Sequence, residues 1–348
     1  MRRSVPVMSA LLIGLLATSC SGSDTTEAGV AVASGTASLP AAAPRSPAAP
    51  AAAKDPASVR ANELGAVPVL MYHQLSDHPS SVYDRTPADF RAELERLARE
   101  GYVPITAAEF TSGRIDIPAG THPVVLTFDD STNSQVRLGA DGKPAPDSAL
   151  GILVDVARRH PGFRATATFF VNGDPFSVTG SKKSLTWLTT HGFEIGNHTL
   201  DHANLRTLDS AEVQHEIASD LEGIRRTVPG ATVVSLALPF GAMPRPGSLA
   251  VRGQSEGVSY EHRGVYLVGA NPSPSPFAAS FDAAAIPRIR SEGATGEEAE
   301  FGSTAWLDKL AQNPANRYTS DGDPSTIAFP GSEESRLSTA YRKQARPY

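Results

Sequence analysis

From Val67 to Leu238 the chain alternates short, continuous apolar runs with longer stretches whose apolar residues recur every three or four positions. Val67-Pro68-Val69-Leu70-Met71-Tyr72-His73 is the first such run and predicts a buried strand. A helix follows: Thr86 can cap it, Pro87 takes the first position, Asp89 the third, and Phe90, Leu94 and Leu97 share one face until Gly101 ends it. The pattern then predicts a strand over 124–128, a helix over 148–160, a strand over 166–171, a helix over 182–191 and a strand over 193–196. Asp209, with Glu212 at the capping-box position, opens a long helix to about Val228, and 231–238 is the next strand. Such alternation makes an α/β protein with a mostly parallel sheet, either a barrel or a doubly wound sheet. No repeat of fixed period is present. The polar stretch 132–147 reads as a surface insertion, and Trp306, Leu307 and Leu310 mark one more helix in the mixed region beyond Pro287.

The first sixty residues follow none of these patterns. Arg2 and Arg3 precede an apolar stretch from Val5 to Ala17, too short to span a bilayer comfortably, which ends in Leu16-Ala17-Thr18-Ser19-Cys20. That ending resembles a bacterial lipobox, so residues 1–19 read as a lipoprotein signal peptide with Cys20 as the lipidated residue. An ordinary signal peptide is the alternative. Cys20 is the only cysteine of the 348 residues, so no internal disulfide is available. Residues 20–62 are rich in Ala, Pro, Ser, Gly and Thr and predict a disordered tether. The expected place is the extracellular face of a bacterial membrane, lipid-anchored, or otherwise secreted. A net charge of −6 and the absence of any long basic run exclude nucleic acid as an expected partner.

Chemistry in parallel α/β folds gathers where strands end. Asp129 and Asp130 follow the apolar run 124–128; adjacent acids at such a place are more often a cap or a solvated turn. His198 and His202 stand four apart and can meet one metal ion from one helical turn, although a lone pair at this spacing is surface decoration about as often. Thr199 excludes the zincin motif, which needs glutamate directly after its first histidine. Leu238-Pro239-Phe240-Gly241 closes the last predicted strand.

In this order, Thr127-Phe128-Asp129-Asp130, then His198-Thr199 with His202, then Leu238-Pro239-Phe240 resemble the three motifs of the polysaccharide deacetylase family (carbohydrate esterase family 4). The resemblance covers about residues 65–290. It implies a deformed (β/α) barrel with a groove at the strand C-termini. It also implies a divalent metal, zinc first, on Asp130, His198 and His202, with Asp129 as general base. Pro239 and the backbone N–H of Phe240 would face the substrate and the oxyanion. The cation would acidify water and polarise the acetyl carbonyl.

Two departures qualify the resemblance. Members commonly carry, at the position of Ala237, an arginine that holds the catalytic aspartate; Arg288 and Arg290 are the replacements considered, against a basic strand end facing solvent. The Leu-x-His motif that ends the family pattern is absent after Arg290, while Leu70-Met71-Tyr72-His73 resembles its place in circularly permuted poly-N-acetylglucosamine deacetylases. His73 is therefore the expected general acid. The chain is expected to place its deacetylase domain at 63–290 and a C-terminal extension, packed on it or trailing, at 291–348. The function implied is a hydrolase of linear amides other than peptides that removes N-acetyl groups from an extracellular hexosamine polymer. An O-acetyl esterase on xylan or a similar glycan, and an inactive glycan-binding lipoprotein, are the alternatives.

Overall fold

The computed structural model describes residues 54–176, 180–296 and 298–348. The expected signal peptide, Cys20 and the tether as far as residue 53 lie outside the described residues. Residues 54–62, assigned by composition to the tether, carry a short helix, α1 (Pro56–Val59). Pro56 is buried, and the Asn62 N–H donates to the Thr319 carbonyl.

The first apolar run forms β1 (Val69–Tyr72), followed by a small pair, β2 (Gln74–Leu75) and β3 (Asp84–Arg85). α2 (Pro87–Arg99) begins as the sequence predicts, with the Thr86 hydroxyl accepting from the Asp89 N–H, and Gly101 leaves it at φ +78°. β4 (Tyr102–Ile105) and α3 (Ala107–Thr111) come next, unannounced by the pattern. Four strand residues that include Pro104, and a helix of five, are too short for periodicity to register.

The expected order then holds: β5 (His122–Phe128), α4 (Ala149–Arg159), β6 (Thr168–Val171), α5 (Ser181–Thr190), β7 (Glu194–Asn197), α6 (Ser210–Thr227) and β8 (Ser235–Ala237). Asp209 and Glu212 form both halves of the predicted capping box. After α7 (Ser248–Val251) come the hairpin β9 (Arg252–Ser255) and β10 (Val258–Glu261), then β11 (Gly264–Tyr266) and β12 (Ile289–Arg290). α8 (Ser303–Gln312) is the helix marked by Trp306, Leu307 and Leu310. β13 (Ile327–Phe329) and β14 (Ala345–Pro347) pair near the C-terminus.

Parallel strands form one sheet in the order β11-β8-β7-β6-β5-β1-β12, with β4 also on β5. The sheet curls until both ends meet one segment: Tyr266 of β11 bridges Ile286, and Leu70 of β1 pairs with Ile289. This is the expected deformed (β/α) barrel.

Side chains alternate between the two faces of a strand. Val69, Val125, Phe170, Ala237, Tyr266 and Ile286 belong to one buried cluster, inside the barrel. Leu70, Leu126, Phe169, Ile195, Leu236 and Val265 belong to a second cluster, beneath the helices. The inner row, continued past the strand ends, supplies the site.

Residues 291–348 pack on the barrel. The Ser303 hydroxyl donates to Glu93 of α2, the Trp306 indole donates to the Ala270 carbonyl, and Tyr318 and Phe329 join the inner cluster.

Candidate active site

Counting two residues along each inner row reaches the barrel mouth. Val69 and Met71 lead to His73, Val125 and Thr127 to Asp129, Gly196 to His198, and Ile286 to Arg288. The ladder continues past the strands: the Asp129 N–H donates to the Tyr72 carbonyl, and the His198 N–H to that of Val171. Asp129 and His198 are almost fully buried.

Asp130 would face the other way if the strand ran on. Its backbone instead turns into the left-handed region, at φ +71°, followed by Ser131 at +48°. The turn is held by the Ser131 hydroxyl on Asn172 Oδ1 and by the Phe176 N–H on the Ser131 carbonyl. Both neighbouring carboxylates therefore serve one pocket.

His198 and His202 do not share a helical turn, as their spacing suggested. They lie in an irregular loop after β7, in which Thr199 and His202 are both left-handed. Hydrogen bonds fix that loop: the Thr199 N–H donates to Asn197 Oδ1, the Leu200 N–H to the Glu216 carbonyl and the Asp201 N–H to Glu216 Oε2.

Asp130 Oδ1 lies 3.3 Å from Nε2 of His198 and 3.3 Å from Nε2 of His202, and the ligand atoms of the three residues lie within 4.8 Å of one another. His198 Nδ1 is 2.8 Å from the Ala237 carbonyl, which can only accept, so Nδ1 carries the proton and Nε2 offers a lone pair. Asp130 Oδ1 and His198 Nε2 are buried without a hydrogen-bond partner. Two acceptors facing each other at that distance repel unless a cation or a proton lies between them. The donor set therefore fits a divalent metal held by one carboxylate and two imidazoles. Burial disfavours the charged form of both groups. For His198 the nearby Asp129 and Asp130 outweigh it and raise the imidazole; for Asp130 the contacts with His198 outweigh it and lower the carboxyl.

Asp129 stands beside this set and belongs to another pair. Arg288 Nη1 and Nη2 donate to its two oxygens at 2.7 and 2.6 Å, while Arg288 Nε donates to the Leu267 carbonyl and Nη1 also to the Thr127 hydroxyl. Arg288 is fully buried, with its guanidinium 5.7 Å from the centroid of the Phe170 ring. Gly196 makes room there, since a Cβ would sit 2.4 Å from that ring. Burial alone would raise the Asp129 carboxyl; Arg288 and His198 outweigh it and hold the group well below the usual carboxylate range. Arg290, the other cation considered, is not brought to Asp129. Glu292 and Glu298 take it at 2.6 and 2.8 Å, and it covers the Tyr83 ring.

His73 Nε2 lies 3.9 Å from Asp129 Oδ2, and burial lowers its pKa against the pull of Asp129. Pro239 is buried, whereas Phe240 is left-handed (φ +58°) and two-thirds exposed, its ring 4.7 Å from that of His202. One further residue of the site gave no signal in the sequence. Gln135, completely buried, donates from Nε2 to the carbonyls of both His73 and Asp129 and so ties the ends of β1 and β5 together. The segment 132–147, read as a surface insertion, thus begins under the site. The buried amide nitrogen needs acceptors, and the carbonyls at the ends of β1 and β5 supply them.

Residues 116–251 match the family model of the polysaccharide deacetylases. The chain is 30% identical over 140 residues to a chitooligosaccharide deacetylase of Bradyrhizobium sp. (strain ANU 289), covering 40% of this chain and 54% of that one. A chitooligosaccharide deacetylase of Rhizobium leguminosarum bv. phaseoli is 30% identical over 129 residues, 37% of this chain and 49% of that one. The chain thus spans about half the length of these curated relatives. Two solved structures share the fold at a TM-score of 0.50 and 18% identity. The Streptococcus pyogenes deacetylase PplD in complex with acetate is covered over 96% of its length and 67% of this chain. The BA0330 protein of Bacillus anthracis, described as a polysaccharide deacetylase, is covered over 69% and 70%.

Proposed function

We propose that this chain is a metal-dependent hydrolase that removes N-acetyl groups from a hexosamine-containing polysaccharide outside the cell. The observation that carries the reading is the pairing of two adjacent aspartates with different partners: Asp130 with His198 and His202, and Asp129 with Arg288. One carboxylate is thereby committed to a ligand set and the other is free to act on substrate.

Asp129 takes the proton of the attacking water as its oxygen bonds to the acetyl carbon. Arg288 fixes both oxygens of that carboxylate, which sets its orientation and lowers its affinity for a proton. Asp130, His198 and His202 would hold a divalent cation, zinc in this reading, which would supply the acidification of that water. His73 delivers a proton to the nitrogen as the C–N bond breaks, and acetate and a free amine result. Its Nε2 lies 3.9 Å from Asp129 Oδ2, a separation that supports an acid and a base acting on one acetyl group. The Phe240 N–H is assigned to the developing oxyanion and Pro239 to the wall beside it. A lipid on Cys20 and a tether would hold the domain at the outer membrane face.

The test is acetate release from N-acetylated chitooligosaccharides and from O-acetylated xylan, after chelation and after zinc is restored. Zinc-dependent acetate from the chito-substrate is expected. Release from xylan alone would make the protein an esterase, and release from neither would leave a glycan-binding protein.

A further inference from the structure

Six large apolar side chains are exposed among the described residues, and four of them, Val82, Tyr83, Phe240 and Val268, belong to three segments near the catalytic groups. Clustering of this kind marks a contact surface, whereas scattered single residues do not. Phe240 and Val268 lie on the His202 side: the Phe240 ring contacts His202, and a Cβ on the adjacent Gly241 would be 3.2 Å from Val268 Cβ.

Tyr83, which follows Val82 in the chain, lies on the other side, beside His73. The Tyr83 ring is 4.8 Å from the His73 ring, and the residue is 39% exposed. It is also held. The Arg290 guanidinium stands 5.5 Å from its centroid, fixed in turn by Glu292 and Glu298. The turn that carries it is pinned by Asp84 Oδ2, which accepts from the Ser80 N–H, the Ser80 hydroxyl and the Ser81 N–H, and β3 is paired to β2. A large ring that is held by a fixed guanidinium and remains partly exposed can serve as a stacking platform. Residue 83 also lies outside the span matched by the family model.

We infer that Tyr83 is a sugar-binding platform on the His73 side of the groove, which takes the C–H face of a gluco-configured, β-linked amino sugar. With every ring substituent equatorial, such a sugar presents axial hydrogens, an apolar face, to an aromatic ring, while its hydroxyls stay in water. The inference rests on the hexosamine reading above and adds where the chain of sugars is gripped.

Calorimetry of the full-length chain in chelator, titrated with tetra-N-acetylchitotetraose so that nothing turns over, tests it. The wild type should bind, Tyr83→Phe and Tyr83→Trp should bind as well, and Tyr83→Ala and Tyr83→Leu should bind about tenfold more weakly. Leucine keeps apolar volume without a ring, so a loss in both variants separates stacking from general burial. Equal binding by wild type, Tyr83→Ala and Tyr83→Leu would overturn the platform and leave the hexosamine reading standing. No binding by any of the proteins would overturn that reading, and the platform with it.

Discussion

Arg288 holds both carboxylate oxygens of Asp129 from inside the barrel, at 2.7 and 2.6 Å, although 159 residues separate the two in sequence. The pair joins the end of β5 to the segment that closes the sheet between β11 and β1. Ala237, where the motif resemblance places an arginine, instead uses its backbone carbonyl to fix the tautomer of His198.

Arg288→Ala should leave a buried, unpaired carboxylate and cost about 3–5 kcal/mol of stability by denaturant titration. Turnover of protein that remains folded should fall about 100-fold, because the base loses its fixed geometry. Arg288→Lys should recover much of the stability and little of the turnover, since an ammonium lacks the planar fork that fixes the orientation of the carboxylate. Full turnover in Arg288→Ala would contradict the assignment.

This pair shows what the sequence did and did not make legible. The strands and helices with long periodic runs were readable, because burial on one face imposes a period that survives in the residues themselves. The cluster of Asp130, His198 and His202 was legible through the resemblance of its motifs, which the spacing of the residues alone left open. The partner of Asp129 was narrowed only to Arg288 or Arg290, two residues apart; the choice depends on the curl of the sheet and on Glu292 and Glu298 capturing Arg290. Gln135 was invisible, because a lone glutamine in a polar segment shows no sign of the two carbonyls it will meet. The shared helical turn expected of His198 and His202 was wrong because left-handed residues, Thr199 and His202, break the spacing rule.

His73→Ala should lower the rate on an N-acetyl substrate by about 10²–10⁴, the usual worth of a placed general acid. An activated aryl acetate, whose leaving group needs no proton, should lose far less, and bound metal should be unchanged. An equal loss on both substrates would contradict the role.

His198→Ala and His202→Ala should each lose zinc on dialysis, as read by atomic emission. The drop in affinity should exceed the ~10–100-fold that removal of a supporting group costs. Stoichiometric zinc in either variant would show that the three residues are not the ligand set.

Away from the site, Glu63 is almost fully buried and accepts from the Ala328 N–H. Burial pushes its carboxyl up to about 8, against the pull of that hydrogen bond. The folded chain therefore keeps this proton between about pH 4.5 and 8 while the unfolded chain has lost it, so this group's contribution to stability falls as pH rises through that window. Glu63→Gln should remove the slope, matching wild type near pH 4.5 and exceeding it at pH 8 by at most about 4 kcal/mol. Thermal melts across pH read this directly, and identical pH profiles would refute it.

The central claim is a division of labour between neighbouring carboxylates, Asp130 as ligand and Asp129 as base. It is tested most directly by acetate release from N-acetylated chitotetraose by Asp129→Ala, with bound zinc measured on the same sample. Zinc at the wild-type level and no acetate above background are expected. Turnover close to wild type, or loss of the metal with the mutation, would contradict it.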